Sequence, residues 1–282
     1  MTLTARQYSS SVWTWKVLIP LNCIFLIYLD ALRAVYPTFT YTLFAFKPMM
    51  GLLMYWFCKE EVAPYISDLQ QCQVKTGFGG NVGNKGGVFI RFNLHDTSMI
   101  FWCAHLKSGQ ESWVDRIKNL FEITNQAFLE DDNYLFFNHD IKFFFGDLNF
   151  RIEKAHEETI EFLKKVNFHN KKQKVEELLL CDQLLLKKNE LEWLNEYKEM
   201  PITFLPTYRF KSNTNEYDVI KKRTPSWWDR IMWHWESSEK YQEIGNIITP
   251  LEYDRLETTF GDHKPVVAYF RVLGVNFEQT TK

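Results

Sequence analysis

Short, almost wholly apolar runs that stop abruptly at polar residues dominate this chain from Gly51 onward. Leu52 to Cys58, Val88 to Phe92, Met99 to Ala104, Ile141 to Phe145, Ile231 to Trp235 and Val266 to Val272 each have the length, aromatic content and turn-residue borders of a buried strand. Between them the period changes. Ile117, Leu120, Phe121 and Phe128 form an apolar stripe at helical spacing, Ile160, Leu163 and Val166 begin another, and Lys171 to Glu177 with Leu178 to Leu186 read as one charge-rich helix. Strands and helices mixed without strict alternation predict an α/β sandwich of packed sheets rather than a doubly wound parallel sheet. The first fifty residues carry apolar positions through Tyr36 to Phe46 with neither period, so no element is assigned there.

The polar stops are chemically consistent. Ile141 to Phe145 ends in Gly146-Asp147-Leu148-Asn149, Met99 to Ala104 ends in His105, Trp227-Trp228 leads into Asp229, and Gly261-Asp262-His263 precedes the last strand. A carboxylate at the end of a core strand is costly unless a partner, metal or substrate compensates. One such case is usually a turn, and Gly146-Asp147 taken alone reads equally well as one. Several together, holding two histidines and three aspartates, point to one convergent site.

Those residue types suit hydrolysis at phosphorus. His263 can serve as base or phosphate ligand with Asp229 fixing its tautomer, Asp147 can orient water, Asn149 can donate to a phosphoryl oxygen, and Asp262 can hold a hard cation. For such a cation, magnesium suits oxygen ligands and phosphate better than zinc. Gly77 to Gly80 and Gly83-Asn84-Lys85-Gly86-Gly87 would let backbone approach an anion with Lys85 as a point charge, although a hairpin needs such glycines equally. Thr207-Tyr208-Arg209 and Lys221-Lys222-Arg223 add a hydroxyl and cations close to Asp229.

Bulk composition narrows the classes. With 282 residues, 46% hydrophobic and 24% charged, the chain is globular and long enough for a large core. A net charge of -2 gives no reason to expect nucleic acid. Cys23, Cys58, Cys72, Cys103 and Cys181 are scattered and odd in number, which favours a reducing, cytoplasmic setting over a disulfide scaffold or zinc site. Val17 to Leu29 is apolar behind Lys16, but it is short for a span and interrupted by Pro20 and Asn22. A membrane-inserting role for it stays open beside peripheral association.

The stretches VKTGFGGNVGNKGGVFIRF, AHLKSGQ with Arg116 following, FFFGDLNFRI, ITFLPTYRF, KKRTPSWWDRIMW and GDHKPVVAYF, in that order, resemble the inositol polyphosphate 5-phosphatases, and among them the synaptojanin phosphatase domains. The resemblance implies a four-layer αββα sandwich like deoxyribonuclease I and Mg²⁺-dependent removal of the 5-phosphate from phosphatidylinositol 4,5-bisphosphate or soluble inositol polyphosphates. It implies catalytic roles for His105, Asp147, Asn149, Asp229 and His263, and a metal-side place for Asp262. Tyr208, Arg209, Lys221 and Arg223 match positions that hold the neighbouring 4-phosphate, with Asn84 and Lys85 also on the substrate. Arg209 stands where the family usually has lysine.

The resemblance covers roughly Gly51 to Val272 and implies a catalytic domain over 51–275, an atypical segment over 1–50 and a tail over 276–282. Upstream, the family's first-strand pattern, Trp-Asn-Val-Asn, and its Gln-Glu pair, whose glutamate is the chief magnesium ligand, have no counterpart before Gly51, where Asp30 is the sole acidic residue. That leaves the N-terminal edge of the sandwich incomplete and raises a second reading, a phosphoinositide-binding module without turnover. A nuclease or sphingomyelinase of the same fold ranks lower, because a nuclease should show a longer basic track. The expected partners are an inositol phosphate or lipid headgroup at a membrane surface, engaged by a monomer.

Overall fold

Strands whose two faces are both buried read as continuous apolar runs, and the middle of this protein is built from them. The computed structural model describes the backbone of 12–18, and residues Ala31, 34–77, 79–129, 136–237, Tyr241 and 245–273. Eleven strands are seen among the described residues: β1 (Val12–Leu18), β2 (Tyr41–Met49), β3 (Leu52–Lys59), β4 (Ile66–Gly77), β5 (Val82–Leu94), β6 (Thr97–His105), β7 (Ile141–Asp147), β8 (Lys198–Glu199), β9 (Asp229–Trp235), β10 (Ile248–Arg255) and β11 (Val266–Leu273). The α-helices delimited among the described residues include α1 (Trp113–Gln126), α2 (His156–Lys164), α3 (Lys171–Leu179), α4 (Gln183–Lys187) and α5 (Glu192–Glu196).

A six-stranded mixed sheet of order β4-β5-β6-β7-β9-β8 stands against two smaller sheets, β1-β11-β10 and the hairpin β2-β3. Alternation along β6 shows how the layers form. Phe101 points toward the smaller sheets and stacks on Phe143 at 5.2 Å, which meets Phe270 of β11 at 5.1 Å. Its neighbour Trp102 points the other way, 3.7 Å from Phe144 and 5.2 Å from Phe136. Two cores result, one between the sheets and one beneath α1 and α5. Helices, large sheet and smaller sheets are the layers seen, the arrangement expected of the α/β sandwich.

All six predicted strands form, most of them longer than their apolar runs. Strands β4 and β10 carry too many polar residues to stand out by pattern. In β2 a bulge between Leu43 and Ala45 breaks the alternation, which is why the segment shows no period. The glycine-rich stretch is a β4–β5 hairpin rather than a phosphate-cradling loop, and Lys85 lies within β5. There Gly86 is required: at φ +142° a Cβ would sit 2.0 Å from the Val74 carbonyl oxygen.

The helix expectations need three corrections. The run Lys171 to Leu186 is two helices, because Asp182 caps α4 by accepting from the Leu185 amide at 3.1 Å. Phe121 faces solvent at 58% exposure, and the buried stripe of α1 instead uses Leu120 and Ile123. Phe128 lies beyond the end of α1, at a positive φ of 55°.

The N-terminal edge differs from expectation too. Strand β1 pairs antiparallel with β11 from Val12↔Leu273 to Leu18↔Val267, so a first strand does precede Gly51. It carries Trp15-Lys16-Val17-Leu18, with lysine and leucine at the two asparagine places of the Trp-Asn-Val-Asn pattern. Apart from Val17 and Leu18 in β1, the apolar stretch to Leu29 lies outside the described residues, as does Cys23.

Candidate active site

Strand register assembles the site. β6 and β7 run parallel with His105 opposite Asp147, and β7 and β9 run antiparallel with Asp147 opposite Asp229. Three polar strand ends therefore sit side by side at one rim of the large sheet. The close pairing depends on Gly146, where a Cβ would meet the Ala104 carbonyl oxygen at 2.1 Å. Strand β7 continues through Asp147, so the turn alternative for Gly146-Asp147 fails.

His263 reaches the same rim from the residues before β11, and its Nδ1 lies 2.9 Å from Asp229 Oδ2. The Thr207 hydroxyl donates to that same oxygen at 2.8 Å. Burial works against charge on His263. The adjacent Asp229 carboxylate, its hydrogen bond, and the fields of Asp147 and Asp262 overcome this and push the pKa up to about 9. At neutral pH the ring is an imidazolium. Burial would likewise raise Asp147, but the His105 hydrogen bond and the charges of His263 and Lys85 hold it below the usual carboxylate range.

Cations line the opposite side. Lys85 Nζ contacts His105 Nε2, which is itself 3.3 Å from Asp147 Oδ2. Burial pushes the Lys85 pKa down to about 8, with Arg151, Lys107 and Arg223 lowering it further against the pull of Asp147. Arg151 lies over the Trp228 ring at 3.4 Å and donates to Asn149 Oδ1 at 3.1 Å. Burial and then Arg116 bring the Arg151 pKa down to about 9. Asn149 is buried in the left-handed region at φ 55°, and its Nδ2 donates to the Leu106 carbonyl at 3.2 Å.

Tyr208 packs against Trp228 at 3.4 Å and His263 at 4.3 Å between ring centres, and its hydroxyl accepts from Arg209 at 3.0 Å and from Arg223. Arg209 also donates to Asp218 Oδ2 at 2.8 Å and pairs with Asp262. Burial opposes that guanidinium charge, yet Asp218, Tyr208 and Asp262 raise its pKa above the ordinary value. Asn84 and Lys221 are exposed, Asn84 on β5 and Lys221 on the Asp218–Arg223 loop, whose Ile220 and Lys221 amides donate to Asp218 Oδ1.

His105, Asp147, Asn149, Asp229 and His263 thus form one cluster, with Lys85, Tyr208, Arg209, Arg223 and Asp262 around it. Sequence reasoning assigned no role to Arg151 or Trp228, although both lie within the quoted FFFGDLNFRI and KKRTPSWWDRIMW stretches. An arginine two residues beyond Asn149 was the available signal. Arg116, fully buried, donates to the carbonyls of Lys107 and Gly109 and to Gln183, clamping the loop that follows His105.

A divalent ion has poor prospects among these groups. Each carboxylate already carries a partner: Asp262 has Arg209, Asp229 has His263 and Thr207, and Asp147 has His105 and the Asn149 amide at 3.1 Å. Among the described residues no group of three or more His, Cys, Asp or Glu is placed to hold a metal ion. The residues present therefore do not fit the magnesium site that the resemblance implies.

Comparisons with known proteins agree with the fold. Human synaptojanin-1 is 34% identical over 248 residues, covering 81% of this chain and 15% of the relative. Mouse phosphatidylinositol 4,5-bisphosphate 5-phosphatase A is 33% identical over 253 residues, covering 86% and 24%. The chain thus spans a minor part of these relatives. Among solved structures, the inositol polyphosphate 5-phosphatase domain of SpSynaptojanin, in complex with inositol (1,4)-bisphosphate and calcium ion, matches at TM-score 0.74 and 28% identity, over 88% of this chain and 69% of that one. A Cimex nitrophorin at TM-score 0.64 and 22% identity shares the fold alone. The family model for endonuclease/exonuclease/phosphatase family 2 matches residues 20–269, and the chain belongs to that family.

Proposed function

We infer that this chain acts on the 5-phosphate of phosphatidylinositol 4,5-bisphosphate or a related inositol polyphosphate. The observation that carries this reading is the rim where His105, Asp147, Asp229 and His263 meet beside Lys85, Arg151 and Arg223. His263, charged at neutral pH and steered by Asp229, donates to a phosphoryl oxygen. Asp147, kept anionic, orients a water and takes its proton as the oxygen attacks phosphorus, the bond to the ring oxygen breaks and that oxygen takes a proton from solvent, and Asp147 returns its proton to solvent. Asn149 offers the second Nδ2 hydrogen to the phosphoryl group. Lys85, Arg151 and Arg223 neutralise charge there, with Tyr208 placing Arg223.

The finer dependence on Mg²⁺ rests on the family resemblance, and no step is routed through the ion. No helix among the described residues is long and apolar enough to cross a membrane. Peripheral contact with a lipid surface is supported by Ile220 (79% exposed) and Phe260 (92% exposed), on the loops carrying Asp218 and Asp262 that Arg209 bridges. The Arg209–Asp262 pair favours a second reading, headgroup binding without turnover.

Phosphate release from phosphatidylinositol 4,5-bisphosphate vesicles and from soluble inositol trisphosphate, with Mg²⁺ and with EDTA, tests the reading. Turnover should fall on the order of 100-fold or more in Asp229→Asn. Folded protein that binds headgroup but releases no phosphate under any of these conditions would leave the binding-module reading in its place.

A further inference from the structure

The charge balance of the rim points beyond the proposed reaction to what holds the substrate. Of the four carboxylates here, Asp218 and Asp262 are both taken up by Arg209 and Asp229 by His263 and Thr207, whereas Lys85, Arg151 and Arg223 hydrogen-bond His105, Asn149 and Tyr208. Every one of the carboxylates already accepts from a cation, an imidazole or a hydroxyl. A dication entering here would compete with Arg209 for Asp262, and Arg209 is fixed from three directions, by Asp218, Asp262 and the Tyr208 hydroxyl. The first fifty residues offer Asp30 as their sole acid. By contrast, an incoming phosphate meets Lys85, Arg151 and Arg223, none of them hydrogen-bonded to a carboxylate among the described residues. Lys85 is part-buried in the field of the buried Arg151, an arrangement relieved by a multiply charged anion.

We propose that this chain binds the phosphates of an inositol phosphate without a divalent cation, Lys85, Arg151 and Arg223 supplying the neutralising charge while the Asp218–Arg209–Asp262 bridge closes the place where a metal ion would meet Asp262. The proposal rests on the inositol-phosphate reading of the site and adds that Arg209, at a position where the family usually has lysine, keeps the site in its metal-free form. A guanidinium does this better than an ammonium because its planar fork serves Asp218 and Asp262 at once.

Calorimetry on the full chain tests it, with inositol (1,4)-bisphosphate and, separately, vesicles carrying phosphatidylinositol 4,5-bisphosphate, each in EDTA and in Mg²⁺. Affinity in EDTA should lie within roughly twofold of that in Mg²⁺ for whichever ligand form binds, whereas a gain of tenfold or more with Mg²⁺, about 1.4 kcal/mol, overturns the proposal. Mn²⁺ binding followed by electron paramagnetic resonance gives a second measurement without any ligand. The unsubstituted chain should show no saturable site, and Arg209→Ala should gain one through the released Asp262. A saturable Mn²⁺ site in the unsubstituted chain also overturns the proposal, and it needs no variant to fold. Binding of neither ligand form under either condition defeats this proposal and the inositol-phosphate reading together. Metal-dependent binding defeats this proposal alone.

Discussion

The large sheet and the smaller sheets behind it contribute unequally to the rim. From the large sheet come His105, Asp147 and Asp229, on three adjacent strands whose pairing sets them abreast. The smaller sheets contribute His263, just before β11, while the β2–β3 hairpin brings its turn to the rim without any ionisable group. A Cβ on Gly51 would lie 3.9 Å from His105 Nδ1, and the residues before that glycine are Met49 and Met50. The lesson is electrostatic. The large sheet supplies most of the rim's titratable groups, the smaller sheets add His263 and Asp262 ahead of β11, and the turn of the β2–β3 hairpin adds none.

The comparison breaks first if the large sheet is not the firm partner. Arg230 on β9, one residue past Asp229, is fully buried and donates to Asp182 at 2.9 Å and to both carboxylate oxygens of Glu199 at 2.7 and 2.6 Å. That network ties β9 to β8 and to the cap of α4. Arg230→Ala leaves two acids without their cation in the interior, and the expected loss is about 3–5 kcal/mol of unfolding free energy in urea titrations. A loss under 1 kcal/mol would mean that β9 is held by its ladder alone and that the site's anchoring lies elsewhere.

Much of this contrast was readable from the chain and part of it was not. An apolar run ending in a titratable residue is a local signal, and each of the strand ends at His105, Asp147, Asp229 and His263 was found that way. That three of them stand abreast depends on strand order and register, which are set by packing across the sheet and are not written in any one segment. Of the β2–β3 hairpin only β3 is legible, because a bulge and half-exposed positions in β2 erase its period, with Phe46 at 49% exposure. Arg151 escaped because its meaning comes from Trp228, which is 77 residues away in sequence (228 minus 151) and beneath it in space.

A sharper test of register comes from Gly146. In Gly146→Ala the new methyl collides with the Ala104 backbone, so β6 and β7 must separate or shift where His105 faces Asp147. The expected cost is about 2–3 kcal/mol, with phosphate release falling alongside. Gly245→Ala is the control. It has a positive φ of 73° but open space around its Cβ, so it should lose about 1 kcal/mol and keep its activity. Equal losses at the two positions would show that backbone conformation, and not the β6–β7 contact, is what Gly146 supplies.

The most gradual effect, spread over a pH range, concerns His263 from the smaller sheets. The His263 pKa is raised from 6.5 to about 9, chiefly by Asp229 acting against burial. A raised pKa means that the folded state holds a proton the unfolded state has lost, so the stabilisation is complete below pH 6.5, declines as pH rises, and is gone above about 9. Over that window the linkage amounts to roughly 3 kcal/mol, at about 1.4 kcal/mol for each pKa unit. Lys85 acts oppositely: its pKa lowered from 10.5 to about 8 makes stability rise between those values, masking the upper part of the decline. The difference between the unsubstituted chain and His263→Asn isolates the histidine. Urea midpoints should converge between pH 6.5 and 9, while Lys85→Met should deepen the fall above pH 8. A difference that stays flat across the range would mean that His263 and Asp229 share no charge in the folded protein, and that the smaller sheets bring the rim a ring but no cation.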